Sequence, residues 1–333
     1  MSDALAGLAD SAPLPRLVLL GTGGTIAGRS TTVGDDIDYQ AAQLSVGALL
    51  ATLPHRLAVP LEIEQVAQID SKDMGFSVWK KLAARLSFHL QRPEVGAVLI
   101  THGTDTLEET AYFLHRVLQP GKPVLLTCAM RAADALLADG PQNLSDALVV
   151  AQHPGARGVL VVCAGQVHGA VDVVKTHTYR LDAFDSGDAG PLAVVEQGQV
   201  RQFRCWPTAP AGAACNLQAN PCLQQVSALP RVDLLYSHAD ADGSLVRSLL
   251  AQAAAPQEPA LRGLVVAGSG NGTLHQALEA ALLQAQAQGV QVRRASRCAR
   301  GRVISPAGRS FADAGGLSAV KARLALALEL LGL

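Results

Sequence analysis

Short apolar runs recur along the first two-thirds of the chain, and several end at a glycine, aspartate or threonine. Runs this short, bounded by turn residues, predict strands that are buried on both faces, as in a parallel sheet. The predicted strands are Leu17 to Leu20, Leu61 to Ile69, Val95 to Ile100, Val124 to Leu126 and Val159 to Val162.

The segments between these runs have the spacing of helices. Val78 to Leu90 and Leu107 to Leu118 repeat apolar side chains at intervals of three or four residues. Thr106 lies three residues before Glu109, which predicts a capping box at the start of the second helix. The alternation of strands and helices predicts a doubly wound α/β domain.

A second domain follows a break in this pattern. Residues 206–230 are rich in proline, alanine, glutamine and asparagine, which indicates a linker. We therefore predict a larger N-terminal α/β domain at residues 1–205 and a smaller C-terminal α/β domain at residues 231–333. Its predicted strands are Val232 to Tyr236, Gly263 to Ala267 and Val290 to Arg294, and its predicted helices are Leu245 to Ala253, Leu274 to Gln288 and Leu317 to Leu331.

Charge and hydropathy exclude several classes of protein. The 333 residues carry a formal net charge of -1 and 27 scattered basic residues, so we expect no nucleic-acid partner. No apolar run approaches the ~20 residues that span a bilayer, and Met1 to Pro15 lacks the features of a secretory signal. We predict a cytoplasmic protein without membrane contact. One local basic cluster is interpreted as a solvated loop: Arg293, Arg294, Arg297, Arg300 and Arg302.

The six cysteines have no spacing typical of metal ligands. Cys128 and Cys163 lie in or beside apolar runs, and we interpret the cysteines as buried free thiols. Cys215 and Cys222 lie in a loop-like stretch and can pair only in an oxidising compartment.

The first candidate site is the glycine-rich turn Gly21 to Gly28, which directly follows the first predicted strand. Its glycines before Thr25 allow unusual backbone geometry and the close approach of a ligand. A turn in this position also suits a phosphate or dinucleotide, but the dinucleotide spacing and a following Gly-Lys-Ser/Thr are absent. A plain tight turn is a further interpretation.

The second candidate is Ile100 to Thr110, at the carboxyl end of another predicted strand, where open α/β sheets bind ligands. Thr104 and Asp105 project from this turn, and a helix start favours anions such as a substrate carboxylate. The alternative is that Thr104, Asp105 and Thr106 only cap the helix. Lys175 follows an apolar stretch and is a candidate base for a hydroxyl nucleophile, although a strand-edge lysine is the simpler interpretation.

These motifs resemble those of the bacterial L-asparaginase family, the threonine-dependent asparaginases and glutaminase-asparaginases. The turns Gly21 to Gly28 and Ile100 to Leu114 match the family's two signatures, and the resemblance covers nearly the whole chain. The other matching segments are Asp70 to Met74, Ala129 to Arg131, Ala138 to Leu144, Asp172 to Thr178 and Gly268 to Gly272.

The resemblance implies a set of catalytic residues. Thr25 matches the primary nucleophile, and Tyr39 matches the tyrosine that hydrogen-bonds it. Thr104, Asp105 and Lys175 match a second triad, in which the lysine polarises the threonine hydroxyl or an attacking water. The implied reaction forms an acyl-threonine intermediate, releases ammonia and ends with hydrolysis to aspartate, with no metal or organic cofactor.

The resemblance also implies how L-asparagine is held. Ser71 matches the residue that binds the α-carboxylate, and Asp105 receives the ammonium group. We also predict that Gly24 and Lys72 contribute to substrate binding. Asn271 matches an asparagine that reaches the neighbouring subunit's site. The implied assembly is a homotetramer built from dimers with shared active sites.

Two departures from the family pattern concern specificity. Lys72 stands where the family often has glutamine or another small polar residue, and it either pairs with the substrate carboxylate or points outward. The stretch Arg297 to Gly316 contains no glutamate, although secreted members place one in the neighbour's site. Arg300, Arg302 or Ser305 are candidates to line the site instead.

Three further hypotheses follow from the same residues. In the first, the protein is a broader amidohydrolase that acts on glutamine, D-asparagine or a peptide- or tRNA-linked amide. In the second, it is a non-catalytic protein that binds aspartate or asparagine, although such a protein needs neither threonine set. In the third, it is a nucleotide-binding enzyme that uses the glycine turn.

Overall fold

Two main sheets organise the described part of the chain, one of eight strands and one of four. The structure is a computed structural model, and it describes residues 15–31, 39–51, 59–208, 223, 225–253, 259–306, 308 and 310–333. Most of the predicted linker, residues 206–230, lies outside the described residues, as do Cys215 and Cys222.

The strands of the large sheet are β1 Arg16–Gly23, β4 Leu61–Ile69, β5 Val95–Thr101, β6 Pro123–Thr127, β7 Gly158–Cys163, β8 Gln166–Gly169, β11 Ala193–Glu196 and β12 Gln199–Gln202. Their order in the sheet is β12-β11-β8-β7-β6-β5-β1-β4. The strands β7, β6, β5, β1 and β4 run parallel, whereas β8, β11 and β12 add an antiparallel edge.

Four short strands lie beside the large sheet, in two antiparallel pairs. The second pair carries Lys175 on its first strand and is called the β9–β10 hairpin below. The strands are β2 Arg29–Ser30, β3 Tyr39–Gln40, β9 Val174–Lys175 and β10 Phe184–Asp185.

Helices cover both faces of the large sheet, which confirms the doubly wound prediction. Side chains alternate along β1, so that Val18 and Leu20 pack on one face and Leu17 and Leu19 on the other. The helices of this part include α1 Val46–Leu50, α2 Phe76–Leu90, α3 Leu107–Leu118 and α4 Gly140–Ala151. Because both faces are covered, the central strands β1, β5, β6 and β7 are largely apolar, whereas the edge strand β4 alternates apolar and polar residues.

The small sheet is parallel, with the order β13-β14-β15-β16, and it confirms the predicted second α/β domain. Its strands are β13 Arg231–Tyr236, β14 Leu261–Gly268, β15 Gln291–Ser296 and β16 Ala312–Asp313, and its helices are α5 Ser244–Ala253, α6 Gln276–Ala287 and α7 Ala319–Glu329.

Helix α7 belongs to two cores at once. Ala322 and Leu326 pack on the small sheet, whereas Leu324 and Leu328 join the core between the large sheet, α2 and α3. The last helix of the chain therefore joins the two domains through buried apolar contacts.

The sequence did not reveal helix α4 or the antiparallel edge. Helix α4 begins with Gly140 and Pro141, which read as a turn, although proline is compatible with a first helical turn. The strands β8, β11 and β12 are only four residues long each, too short for a clear period.

Three smaller features complete the description. Cys128 and Cys163 are buried free thiols, as predicted, but Cys205 and Cys298 are exposed, so the prediction is wrong for these two. No helix in the described part of the chain is long and apolar enough to cross a membrane. Within the same residues, no three His, Cys, Asp or Glu side chains converge as a metal site.

Candidate active site

The two glycine-flanked turns lie side by side. Strands β1 and β5 are parallel neighbours, with Gly21 opposite Thr101. Because parallel strands end at the same edge of a sheet, the turns after them meet there. Thr25 lies on one turn, in the short 3₁₀ helix Thr25–Ala27, and Thr104 lies on the other. Both side chains are buried.

The turns touch backbone to backbone at two glycines. A Cβ added to Gly24 would lie 2.3 Å from both the nitrogen and the Cα of Gly103. Gly24 also has a φ of 83°, in the region that favours glycine. A Cβ on Gly103 would lie 2.5 Å from the Ser71 Oγ. These positions tolerate no side chain, so three chain segments meet at atomic contact.

The other glycines of the first turn also pack against protein atoms. A Cβ on Gly21 would lie 2.0 Å from a Val46 methyl carbon, and one on Gly23 would lie 2.5 Å from the Ile69 carbonyl oxygen. The absence of a Cβ at these glycines therefore allows the turn to pack closely against the rest of the protein. This use of the glycines argues against a phosphate-binding turn, in which they would face a ligand.

Ser71 connects the end of β4 to the second turn. Its Oγ accepts the Asp105 backbone N–H at 3.1 Å, and its carbonyl oxygen accepts the Thr106 hydroxyl at 2.7 Å. The predicted capping box is therefore wrong, because Thr106 makes no side-chain cap of α3. A carbonyl distant in sequence takes the hydroxyl instead.

Lys175 joins the two polar side chains of the second turn. Its Nζ donates to Thr104 Oγ1 at 2.8 Å and to Asp105 Oδ1 at 2.7 Å. The lysine side chain is only 20% exposed, whereas that of Asp105 is 51% exposed. One ammonium group thus bridges a buried hydroxyl and a carboxylate that faces the solvent.

Glu108 holds the backbone of Lys175 in place, and the sequence analysis overlooked it. Its Oε2 accepts the Lys175 backbone N–H at 2.8 Å. Burial raises the pKa of the Glu108 carboxyl, while nearby Lys321 and the Lys175 N–H oppose the rise. In the sequence this residue shows only as a glutamate in the first turn of a helix that follows a polar motif, and its burial appears in the folded structure.

A buried chain of hydrogen bonds fixes the backbone of the second turn from the side of the protein core. His102 Nδ1 lies 2.7 Å from the Gly103 carbonyl oxygen, which can only accept, so this nitrogen carries the hydrogen. Burial lowers the pKa of His102 to about 4, and the neutral ring then accepts at Nε2. The Thr110 hydroxyl donates there over 2.9 Å and itself accepts the Trp79 indole N–H at 2.8 Å.

Lys72 is turned toward two neighbouring carboxylates. Its Nζ lies 2.6 Å from Asp73 Oδ2 and 3.5 Å from Asp70 Oδ2, with its side chain 60% exposed. Of the two interpretations of this lysine, the geometry favours the outward one.

Asn271, one of the predicted site residues, is not part of the cluster around Lys175. Asn271 lies in the small domain, where it donates to the Ile304 carbonyl at 2.9 Å and accepts the Ile304 N–H at 2.7 Å. The backbone of Tyr39 pairs with Ser30, but its side chain, and with it the predicted hydrogen bond to Thr25, lies outside the described part of the structure.

Part of the arginine-rich cluster differs from its prediction as a solvated loop: Arg297, Arg300 and Arg302 are exposed, as predicted, whereas Arg293 and Arg294 lie in β15. Arg294 is buried and donates to Ser305 Oγ at 2.6 Å, because β15 turns this residue toward the domain interior. Arg300 is exposed but pairs with Asp185 of the β9–β10 hairpin at 2.5 Å. These two contacts engage Ser305 and Arg300 within the chain.

Comparison with known proteins assigns the chain to a family. The family model described as "Asparaginase, N-terminal" matches residues 16–207, and that of the "Glutaminase/Asparaginase C-terminal domain" matches residues 231–332. The chain belongs to the asparaginase family. It is therefore an amidohydrolase, and the predicted family resemblance is confirmed.

Asparaginase relatives match along most of their length. The chain is 35% identical to the "Probable L-asparaginase periplasmic" of Haemophilus influenzae, over 97% of this chain and 90% of that protein. It is 34% identical to the "Glutaminase-asparaginase" of Pseudomonas fluorescens, over 87% and 78%. The crystal structure of a "Probable Cytoplasmic L-asparaginase" from Campylobacter jejuni has a TM-score of 0.84 and 34% identity, and covers 95% of each chain.

The glycine contact gives a first prediction. Gly24→Ala forces the two turns apart, and we expect kcat for ammonia release from L-asparagine to fall on the order of 100-fold. Gly155→Ala is the matched control, since Gly155 has nearly the same φ, 82°, with no atom within 4 Å of an added Cβ. Normal turnover by folded Gly24→Ala would show that the contact is dispensable.

The buried histidine gives a second prediction, on stability. The folded state keeps His102 neutral down to a pKa of about 4, against 6.5 ordinarily, so the unfolded chain binds the extra proton. The contribution of His102 to the free energy of unfolding is fully present above pH 6.5 and is lost as the pH falls through about 4. The total loss is up to ~3 kcal/mol.

Urea unfolding measured between pH 7 and 4 tests this pH dependence. His102→Asn keeps a donor for the Gly103 carbonyl but cannot titrate, and we expect a shallower loss of stability in acid. Identical slopes for the variant and the parent would contradict the assignment.

Proposed function

We propose that the protein hydrolyses the side-chain amide of L-asparagine to L-aspartate and ammonia. The observation that carries the proposal is the Lys175 ammonium, bonded to both Thr104 and Asp105 on a turn that touches the Thr25 turn. Two hydroxyls, a lysine and a carboxylate at one edge of a sheet are the parts that amide cleavage through a nucleophile requires.

In the first step, the Thr25 oxygen attacks the amide carbon of the substrate. The bond from this carbon to nitrogen breaks, the proton of the Thr25 hydroxyl ends on the leaving nitrogen, and ammonia departs. An ester between the aspartyl group and Thr25 remains. The proposed part of Tyr39 is a hydrogen bond that orients the attacking hydroxyl.

In the second step, water cleaves this ester. The water oxygen bonds to the acyl carbon, the bond to the Thr25 oxygen breaks, and Thr25 recovers a proton as L-aspartate leaves. Lys175 lies within hydrogen-bonding distance of Thr104 Oγ1, so the pair is placed to polarise either this hydroxyl or the attacking water. No metal or organic cofactor enters the proposed reaction.

The ends of the substrate are assigned to groups around the second turn. Ser71 Oγ accepts a backbone N–H from Asp105, which leaves its hydroxyl hydrogen to donate to the α-carboxylate, beside Gly24. The half-exposed Asp105 carboxylate is placed to receive the ammonium group. The amino end of α3 adds a favourable field for the carboxylate.

The proposed assembly is a homotetramer of dimers with shared sites. Asn271 lies on an exposed loop of the small domain, fixed by two hydrogen bonds to Ile304. A side chain presented in this way, apart from its own chain's Lys175 cluster, suits a role in a neighbouring subunit. We also propose a cytoplasmic location, because Cys205 and Cys298 are exposed free thiols and such thiols persist in reducing compartments.

The nucleophile assignment is tested by release of ammonia from L-asparagine. We expect Thr25→Ala and Lys175→Met to lower kcat by at least about 1000-fold, since each removes a group that acts in the transition state. Thr25→Ser keeps the hydroxyl and is the matched control, with partial activity. Full turnover by Thr25→Ala would refute the nucleophile, and stoichiometric binding of L-asparagine without ammonia from the parent protein would favour a binding protein instead.

Specificity is tested with L-asparagine, L-glutamine and D-asparagine. We expect L-asparagine to have the highest kcat/KM. Relatives named glutaminase-asparaginase make L-glutamine the second candidate. Because the Lys72 ammonium is engaged by Asp73 and Asp70, Lys72→Gln should change KM for L-asparagine by less than about fivefold, roughly 1 kcal/mol. A larger rise in KM would place Lys72 on the substrate carboxylate.

A further inference from the structure

Lys321 is a charged residue in the interior of the protein. It lies on helix α7, and none of its surface is exposed. Its Nζ donates to the carbonyl oxygens of Ala170 at 3.1 Å and Val171 at 2.9 Å, and to that of Val173. An ammonium group has three N–H donors, so all of them are used, each on one short segment of the N-terminal domain.

The charge of Lys321 is balanced by nearby carboxylates. Burial lowers the pKa of Lys321 to about 8, while Glu108, Asp172 and Glu109 oppose this shift. Moving a charged group from water into the protein interior costs several kcal/mol unless hydrogen bonds and opposite charges compensate. An apolar residue would fill the same space in α7 without this cost, so packing alone does not account for a lysine here.

The segment that Lys321 holds leads directly into Lys175. Its three carbonyl acceptors precede β9, Val174–Lys175, by only a few residues. Glu108, which lies near Lys321, accepts the Lys175 backbone N–H. The backbone of Lys175 is therefore fixed on its amino side by Lys321 and at its own amide by Glu108.

A second contact from the small domain reaches the other strand of the hairpin. Phe184 of β10 pairs with Lys175, and the next residue, Asp185, accepts from the Arg300 guanidinium at 2.5 Å. This pair is exposed, so it contributes little by itself. Lys321 is thus the buried contact between the small domain and the segment that leads into the β9–β10 hairpin.

We propose that Lys321 is a positioning residue that aligns Lys175 with Thr104 by holding the carbonyls of residues 170, 171 and 173. The inference rests on the proposed function, because it assigns a catalytic purpose to the position of Lys175. It makes the small domain of a subunit a support for the second triad of that same subunit.

The test is a double-mutant cycle on kcat for ammonia release from L-asparagine. Its members are Lys321→Met, Lys175→Met and the double variant, with the folded fraction of each measured by circular dichroism. We expect Lys321→Met to lower kcat about 10- to 100-fold with a small change in KM. We expect no further loss when it is added to Lys175→Met, since the group being positioned is then absent.

A matched control separates positioning from a general loss of stability. Lys122 also donates to a backbone carbonyl, that of Arg92 at 2.7 Å, but it lies beside the start of β6, at the opposite edge of the sheet. Lys122→Met should leave kcat of the folded protein unchanged. If Lys321→Met does not fold, Lys321→Met/Glu108→Gln removes both charges and keeps an acceptor for the Lys175 N–H, and it should show the same loss of kcat.

The outcomes distinguish this inference from the proposed function. Normal kcat in folded Lys321→Met, or losses that simply multiply in the double variant, would overturn the positioning role while Lys175→Met remains impaired. Full activity of Lys175→Met would instead overturn the proposed role of Lys175, and the positioning role with it.

Discussion

The contact between Gly24 and Gly103 is the constraint on which the rest of the site depends. An added Cβ on Gly24 would lie 2.3 Å from the Gly103 backbone, so the two turns meet only because neither residue has a side chain. The contact brings the turn of Thr25 against the turn of Thr104. Ser71 closes the third side, where its Oγ also fills the space a Cβ on Gly103 would need. The positions of the two hydroxyls therefore follow from backbone packing.

Beneath this contact, buried polar groups fix the backbone of the second turn through hydrogen bonds. The chain from Trp79 through Thr110 and His102 ends on the Gly103 carbonyl, and each member has one possible direction of donation. Such networks are favourable only when every member is satisfied. Lys321 and Glu108 do the same for the strand that carries Lys175. The Asp105 carboxylate is thus the solvent-exposed end of an otherwise buried set of polar groups.

The departures from the family pattern have a structural consequence at the domain boundary. The stretch from Arg297 to Gly316, which has no glutamate, places Arg300 on Asp185 and the Gly301 N–H on Asp188. This loop therefore touches the β9–β10 hairpin and the residues after it in its own chain, through two exposed polar contacts. Lys72 pairs with carboxylates on its own turn. The presence of a lysine instead of a small polar residue therefore changes the surroundings of the Ser71 hydroxyl only slightly.

Hydrophobic period alone determined the order and kind of most elements. The predicted helix Leu107 to Leu118 and strand Leu61 to Ile69 agree with the structure at both ends, because an apolar helix stripe and the partial alternation of a half-buried strand both leave a recognisable period. The two signature turns and the family could also be read from residue order. Tertiary structure alone decided what Thr106 bonds to, which arginines are buried, and that Lys321 and Glu108 lie behind Lys175. These depend on partners far apart in sequence, and local patterns carry no information about which distant acceptor a polar group will meet when the chain packs.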